Sequence, residues 1–438
     1  MNIAIIGGGY TGLTAAYYLS RAGHQVSIFE AGPEIGGLAS GLKIAGANIE
    51  KTYHHLFKTD TDIIELAAEL GAQIDWYPSS VSIYCQGQLY DFNGPGDLLR
   101  FSALSFVSRL RTAIVLAFLK FYNNWQSFIN ISAYQWMSRW AGAESTQVIW
   151  GPLLQGKFSG FAQQISMAWL WARIHIRANS RSFSLQDSAE YLGYFRGGFH
   201  SFTTKLLAEL AKYNVKVYVN QKVSAISSNL DTGLVSIELS DSEAKFERVL
   251  ATIPCHTFAK LIGTDSQASP AYLGQLTAIE YLGAICLIYS SKQSLSKSYW
   301  HNINDKSFPF LVFLQHTNLV SRSNYQGQEI YYIGTYLPHD HRYWETTEAE
   351  ILIEWFAALK KIFPEFDGCQ VQERHLFKLK NAQHIADLNY QSKIPAVTTP
   401  LKNVYLSNFS QIFPEDRGTN FAVREGKKAT NLILQNPN

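Results

Sequence analysis

A short apolar, β-branched run at residues 3–6 meets glycines at 7, 9 and 12, and Leu13, Ala16 and Leu19 then recur along one helical face over 11–22. Gly23 closes that pattern, and residues 25–29 return to strand-like character before Glu30 and Ala31. The order predicts a strand, a glycine turn, a helix and a second strand. Helical periodicity recurs at 63–70, 96–101, 107–123, 133–141 and 168–176, so residues 60–188 read as a mainly helical insertion. A helix at 201–213 then precedes strand-like runs at 215–219, 223–227, 233–239 and 248–253. Residues 271–387 form a second excursion with strands at 284–290, 309–316 and 329–336 and a helix over 348–362. The Ser/Lys stretch 290–298 reads as a surface loop or hairpin end. A last strand at 403–407 leads to Gly418 and a final helix through Leu434, with Thr419 or Asn420 as its N-cap.

Each glycine of the first turn has its own task. Gly7 permits the tight strand-to-helix turn, Gly9 lets the backbone approach a pyrophosphate, and Gly12 lets the helix pack closely on the sheet. The helix start, with Tyr10 and Thr11, points unpaired N–H groups and a positive dipole end at that anion. Glu30 lies 18 residues beyond Gly12 (30 − 12), where a carboxylate accepts hydrogen bonds from ribose hydroxyls and disfavours a 2′-phosphate. On these residues alone an adenine dinucleotide binds, and NAD is as good a reading as FAD.

The 438 residues suffice for two or three domains. Lysine plus arginine is 37 against 35 acidic residues, so no strong field favours nucleic acid. Cys85, Cys255, Cys286 and Cys369 form no CxxC pair and read as small core residues in a reducing compartment. The first strand begins at Asn2, leaving no room for a leader, and a cytoplasmic location is expected. No apolar run approaches a membrane span. Residues 106–125 combine Arg109, Arg111 and Lys120 with Val107, Leu110, Ile114, Leu116, Phe118 and Phe121. A core-facing cap helix is the favoured reading, with peripheral membrane contact the alternative.

Four segments together resemble a known group: Gly7 to Gly12 with Glu30; Glu34 to Ser40 with its pair Gly36-Gly37; Gly197-Gly198 with the strand at Val223; and the stretch from Asn403 to Ala429. They resemble the flavin-dependent amine oxidase, protoporphyrinogen oxidase and phytoene desaturase superfamily, to which UDP-galactopyranose mutase is related. The resemblance implies an α/β fold, α+β overall. A FAD-binding Rossmann-like domain is assembled from residues 1–59, 189–270 and 388–438, with a helical cap at 60–188 and a β-sheet substrate domain at 271–387. It implies non-covalent FAD, since no cysteine follows Cys369 near the terminal motif.

The resemblance also assigns roles. Gly36, Gly37, Leu38 and Ala39 pass close to the pyrophosphate and ribityl chain, although many members have arginine where this chain has Leu38. Val223 contacts adenine through its backbone, and Gly418, Thr419 and Asn420, with Asp416 before them, meet the flavin. Residues 51–57 run along the flavin ring, which makes His54 or His55 the expected proton-transfer or orienting group. An ordinary structural histidine pair is the competing reading.

Residues 150–160 read as a cavity wall that includes Lys157. Arg173 and Arg177, four apart on one helical face, suit a carboxylate or phosphate of the substrate, or simply a solvated basic face. His339 and His341 have the spacing of a metal pair but no third ligand, so no metal is expected. No GxSxG elbow, P-loop or HExxH is present. The expected activity is oxidation of an organic substrate by hydride transfer to flavin, with an unidentified electron acceptor. The 14% aromatic content suits an apolar or aromatic substrate. A non-redox flavin-dependent isomerase of nucleotide sugars, and a partner-binding flavoprotein with structural FAD, are the alternatives.

Overall fold

In the computed structural model, which describes residues 1–180 and 190–435, five short strands form a parallel sheet. Its order is Val404–Leu406, Arg248–Ala251, Asn2–Ile6, Gln25–Phe29 and Lys216–Tyr218. Strands far apart in sequence are therefore neighbours, and the dinucleotide domain is assembled from three stretches of chain. Ile3, Ala4 and Ile5 have no exposed surface, as a parallel strand covered on both faces requires. Helices Tyr10–Arg21 and Thr419–Gln435 pack together beside this sheet. A Cβ at Gly426 would lie 2.7 Å from the Thr11 carbonyl oxygen, so glycine sets how closely they approach.

The second sheet has seven strands, and its long strand Tyr281–Ser291, next to one edge, is buried at every residue. Its partners are Val371–His384 on one side and Glu329–Leu337 on the other, both antiparallel. The far edge is Val81–Cys85 and Gln88–Asp91, joined through a parallel pairing with Trp300–Ile303. The stretch 60–188, expected to be mainly helical, thus lends two strands to this sheet, and a third, Ile74–Ser79, pairs with Glu190–Phe195. Ile74–Ser79 escaped the periodicity because it carries a proline and alternates poorly.

Other differences are local. Ser290 and Ser291 finish the long buried strand instead of opening a surface loop. The final helix begins at Thr419 with the Gly418 carbonyl accepting from Ala422 N at 3.0 Å, so Gly418 holds the N-cap position expected for Thr419 or Asn420. Asn420 Oδ1 instead accepts from the backbone N–H of Ile63 at 3.1 Å. Cys85, Cys255 and Cys286 are buried, but Cys369 is exposed, contrary to the core reading.

The cap helix Phe106–Phe121 corrects the core-facing reading more substantially. Thr112, Val115 and Leu119 face the core, yet Phe106, Val107, Leu110, Ile114, Phe118 and Phe121 are all exposed. Among the described residues no helix is long and apolar enough to cross a membrane.

Candidate functional site

The glycine turn carries the first half of the site. Gly7 has φ +111°, and a Cβ there would meet Thr252 Oγ1 at 2.5 Å. A Cβ at Gly12 would lie 2.2 Å from the Gly7 carbonyl oxygen, so the helix can sit this close only with glycine at that position. Gly9 differs. Its φ is −78°, and the nearest protein atom to a Cβ would be Gly37 Cα at 3.9 Å. Nothing in the protein itself demands glycine at 9, and the space left there suits an approaching phosphate. No side chain caps helix Tyr10–Arg21, so its first N–H groups remain available to an anion.

The second glycine pair is tied onto this turn. Gly36 N donates to the Gly8 carbonyl at 2.9 Å, and Gly37, at φ +58°, leads into the single turn Gly37–Ala39. Ala39 is buried, and the Leu38 carbonyl accepts from Thr52 Oγ1 at 3.0 Å, linking the pair to the histidine segment. Glu30 closes the far side: Oε2 accepts from Gly8 N at 2.8 Å and Oε1 from Gly32 N at 2.7 Å. Those bonds orient the carboxylate, and its remaining lone pairs are free to take ribose hydroxyls. Exposed Ala31 follows at the edge. Tyr10 and Thr11 are buried, and the Tyr10 hydroxyl bonds Thr203 Oγ1 at 3.0 Å, so only their backbone is available to a ligand. Val223 precedes its expected strand, which begins at Ala225, and its side chain belongs to the core cluster of Phe29 and Ile226.

The second half is a cavity between the nucleotide domain, the cap and the seven-stranded sheet. His54, His55, Gly418, Thr419 and Asn420 line one wall. Lys157, Arg173 and Arg177 of the cap stand on another, with Cys286 and Tyr336 from the sheet. His54, His55, Lys157, Arg173 and Arg177 therefore all reach one cavity, although Arg173 and Lys157 do so in an unexpected state. Lys157 Nζ lies 2.6 Å from Asp416 Oδ2, and Arg173 lies 3.4 Å from the same oxygen. Gln383 Nε2 donates to Asp416 Oδ1 at 3.2 Å. The Asp416 carboxylate is thus engaged by protein cations, where the sequence reading assigned it to the cofactor. Lys157 in turn already has a counterion.

Burial alone would raise the Asp416 carboxyl, but Lys157, Arg173 and Arg417 hold it well below the usual carboxylate range. Burial pushes Lys157 down despite that partner. Arg417 Nη2 donates to the Tyr336 hydroxyl at 2.8 Å. Burial raises Tyr336, yet Arg417 and Lys157 outweigh it and bring the phenol below its ordinary value. His54 Nδ1 donates to the Thr52 carbonyl at 2.7 Å, and burial takes its pKa to about 4. His55, 3.3 Å from the Tyr299 hydroxyl, falls to about 3 through burial and the charges of Arg177 and Arg173. Both rings are neutral at pH 7, able to orient a group by hydrogen bonding but poorly matched to accept a proton.

A chain with this turn, this glycine pair and this split domain matches a family model described as flavin-containing amine oxidoreductase over residues 10–407. The chain belongs to that family. Among solved structures, the amine oxidoreductase fold is similar to a protein of Exiguobacterium sp. 255-15 named provisionally as a protoporphyrinogen oxidase. Identity is 17%, the TM-score 0.77, and 99% of each chain is covered. Reduced UDP-galactopyranose mutase aligns at 14% identity and TM-score 0.76, over 99% of this chain and 95% of the other. At such identities the likeness shows the fold. A provisionally named zeta-carotene desaturase of Synechococcus elongatus is 24% identical over 58% of this chain and 57% of its own. The chain spans between about a tenth and just over half of the length of the curated relatives it matches.

From the sequence, Tyr336 and Gln383 go unnoticed, Cys286 reads as a core residue only, and Tyr53 figures only as part of the segment 51–57. Gly334, a lone glycine inside strand Glu329–Leu337, was the available signal: a Cβ there would sit 3.1 Å from the Tyr53 ring. His339 and His341 lie elsewhere. His339 Nε2 bonds the Lys380 carbonyl at 2.7 Å and His341 Nδ1 accepts from Tyr343 N at 3.2 Å.

Proposed function

We propose that this flavoprotein binds FAD non-covalently and oxidises an organic, largely apolar or aromatic substrate by hydride transfer. The supporting observation is the single cavity that joins the flavin-facing helix start at Gly418 to walls contributed by both excursions, lined by Leu153, Ile285, Leu311 and Tyr336. Gly9, with its open space, and the uncapped helix behind it suit the diphosphate, and Glu30 suits the ribose.

A bound flavin supplies the two-electron acceptor. The protein's own residues do the rest. The positive start of helix Thr419–Gln435 and the adjacent Arg417 favour negative charge at the flavin-facing wall. His54 and His55, neutral, orient substrate. Tyr336, whose phenol Arg417 and Lys157 bring down, is the group poised to hold or receive a proton. Cys286 reaches the cavity, but burial pushes its thiol up, which makes it a poor nucleophile and supports non-covalent binding.

The test is anaerobic. The purified, flavin-loaded protein is mixed with a panel of apolar and aromatic substrates, and bleaching of the flavin absorbance is followed, then recovery on adding an electron acceptor. Bleaching with stoichiometric product is expected. Turnover that needs reduced flavin yet consumes no acceptor would mean an isomerase, and failure to bind FAD would remove the flavin reading altogether.

A further inference from the structure

We propose that the exposed face of cap helix Phe106–Phe121 docks onto an anionic lipid bilayer. Phe106, Val107, Ile114 and Phe121 are 61%, 72%, 70% and 71% exposed, and Leu110 and Phe118 are exposed beside them. Stepping about 100° per residue, these six side chains fall within an arc of about 120°. The buried trio Thr112, Val115 and Leu119 occupies the opposite side. The helix is therefore apolar on both faces, and only one face has a core to cover it. A contiguous apolar patch of this kind marks an interaction surface.

Charge selects the occupant. On the same wheel Arg111 borders one edge of the exposed arc, and Arg109 and Lys120 border the other. Residues 98–143 contain five basic residues and no aspartate or glutamate, in a chain whose totals are nearly balanced. Arg109 and Arg111 bond the carbonyls of Leu99 and Trp140, each at 2.6 Å, contacts that fix the guanidinium groups, while Glu144 at the helix start partly offsets the charge of Arg109. Arg100 pairs with Asp97 just outside the stretch, and Glu144 at its other end is held by Ser105 at 2.6 Å. Exposed Trp140, with Arg139 over its ring at 5.6 Å, and exposed Ile131 lie in the same cap. An apolar strip flanked by cations, with an aromatic beside it, suits a headgroup boundary: the apolar side chains enter the acyl region and the cations meet lipid phosphates. A second copy of the chain is disfavoured as the occupant, because two such faces would bring like charges together.

The experiment is flotation of the full-length protein with vesicles of mixed phosphatidylglycerol and phosphatidylcholine, against phosphatidylcholine alone. Binding to the anionic vesicles, weakened by salt, is expected, and the double variant Val107→Asp/Ile114→Asp should lower it by at least about tenfold. Both side chains are exposed, so melting temperature and flavin content should stay at wild-type values. If that variant misfolds, Lys120→Gln/Arg139→Gln makes the same test through charge, with a smaller loss expected. Wild-type protein left at the bottom of the anionic gradient overturns the proposal. So does undiminished binding by the folded variants, or a solution dimer that Val107→Asp/Ile114→Asp dissociates, which would assign the face to a second copy. None of these readings depends on the flavin chemistry.

Discussion

Lys157 Nζ and Asp416 Oδ2 stand 2.6 Å apart across 259 residues of chain, joining the cap to the segment that leads into the terminal helix. Arg173 and Gln383 reach the same carboxylate, so one side chain gathers the cap, the seven-stranded sheet and the terminal helix start.

Asp416→Asn should therefore destabilise the fold by about 3–5 kcal/mol, because it leaves three recessed cations facing one another. Urea unfolding measures this. A double-mutant cycle with Lys157→Met should give a coupling energy above about 1 kcal/mol, and a value near zero would mean that the contact is not made in solution.

Gly9 and Gly12 should part company on substitution to alanine. Gly12→Ala puts a Cβ 2.2 Å from the Gly7 carbonyl and should lower stability by about 1–3 kcal/mol even without flavin. Gly9→Ala meets nothing closer than 3.9 Å, so the apoprotein should melt normally while FAD binding weakens by tenfold or more, about 1.4 kcal/mol. Differential scanning fluorimetry and flavin fluorescence titration separate the two effects. Equal FAD affinity in Gly9→Ala would contradict a phosphate at that position.

Glu30→Ala should weaken FAD retention by about 1.5–3 kcal/mol, through loss of a charge-assisted acceptor. The same change releases the N–H groups of Gly8 and Gly32, so part of the loss comes from a looser turn. Glu30→Gln keeps an acceptor for one of them and should fall between wild type and alanine. Retention of flavin absorbance through gel filtration provides the ranking.

Stability should fall as pH drops from about 7 to about 5. Burial takes His54, His55, His301, His316 and His384 to about 3 or 4, against an unfolded value near 6.5. A lowered folded pKa favours folding fully above the unfolded value and loses that contribution as pH falls toward the folded one. Buried Glu50 and Asp60 act in the opposite sense. Burial raises both to about 7, so their contribution is complete below about 4 and is lost as pH rises through 7. Glu50→Gln should thus be more stable than wild type at pH 8, by about 2–3 kcal/mol, and gain little at pH 5. Urea midpoints across that range test both slopes.

Much of the nucleotide end was legible because its constraints are local. Strand, turn and helix follow from spacings within 30 residues, and the clash that demands Gly12 lies within the turn, whereas the one at Gly7 involves the distant Thr252. The cavity was legible only in pieces. Lys157, Arg173 and Arg177 were visible as cations, but the pairing of Lys157 and Arg173 with Asp416 depends on how the cap sits against the terminal helix start. Tyr336 carried no motif at all, Tyr53 was one unassigned member of the segment 51–57, and Gly334 was the hint that a ring approached that strand.

By itself the sequence determined the strand–glycine turn–helix start and the acidic strand end, since each rests on neighbours in the chain. Tertiary structure alone decided which charges are neutralised, which titrating groups are buried and which face of helix Phe106–Phe121 meets solvent. Those outcomes depend on desolvation and Coulomb interaction, and both are set by residues that the chain keeps tens to hundreds of positions apart.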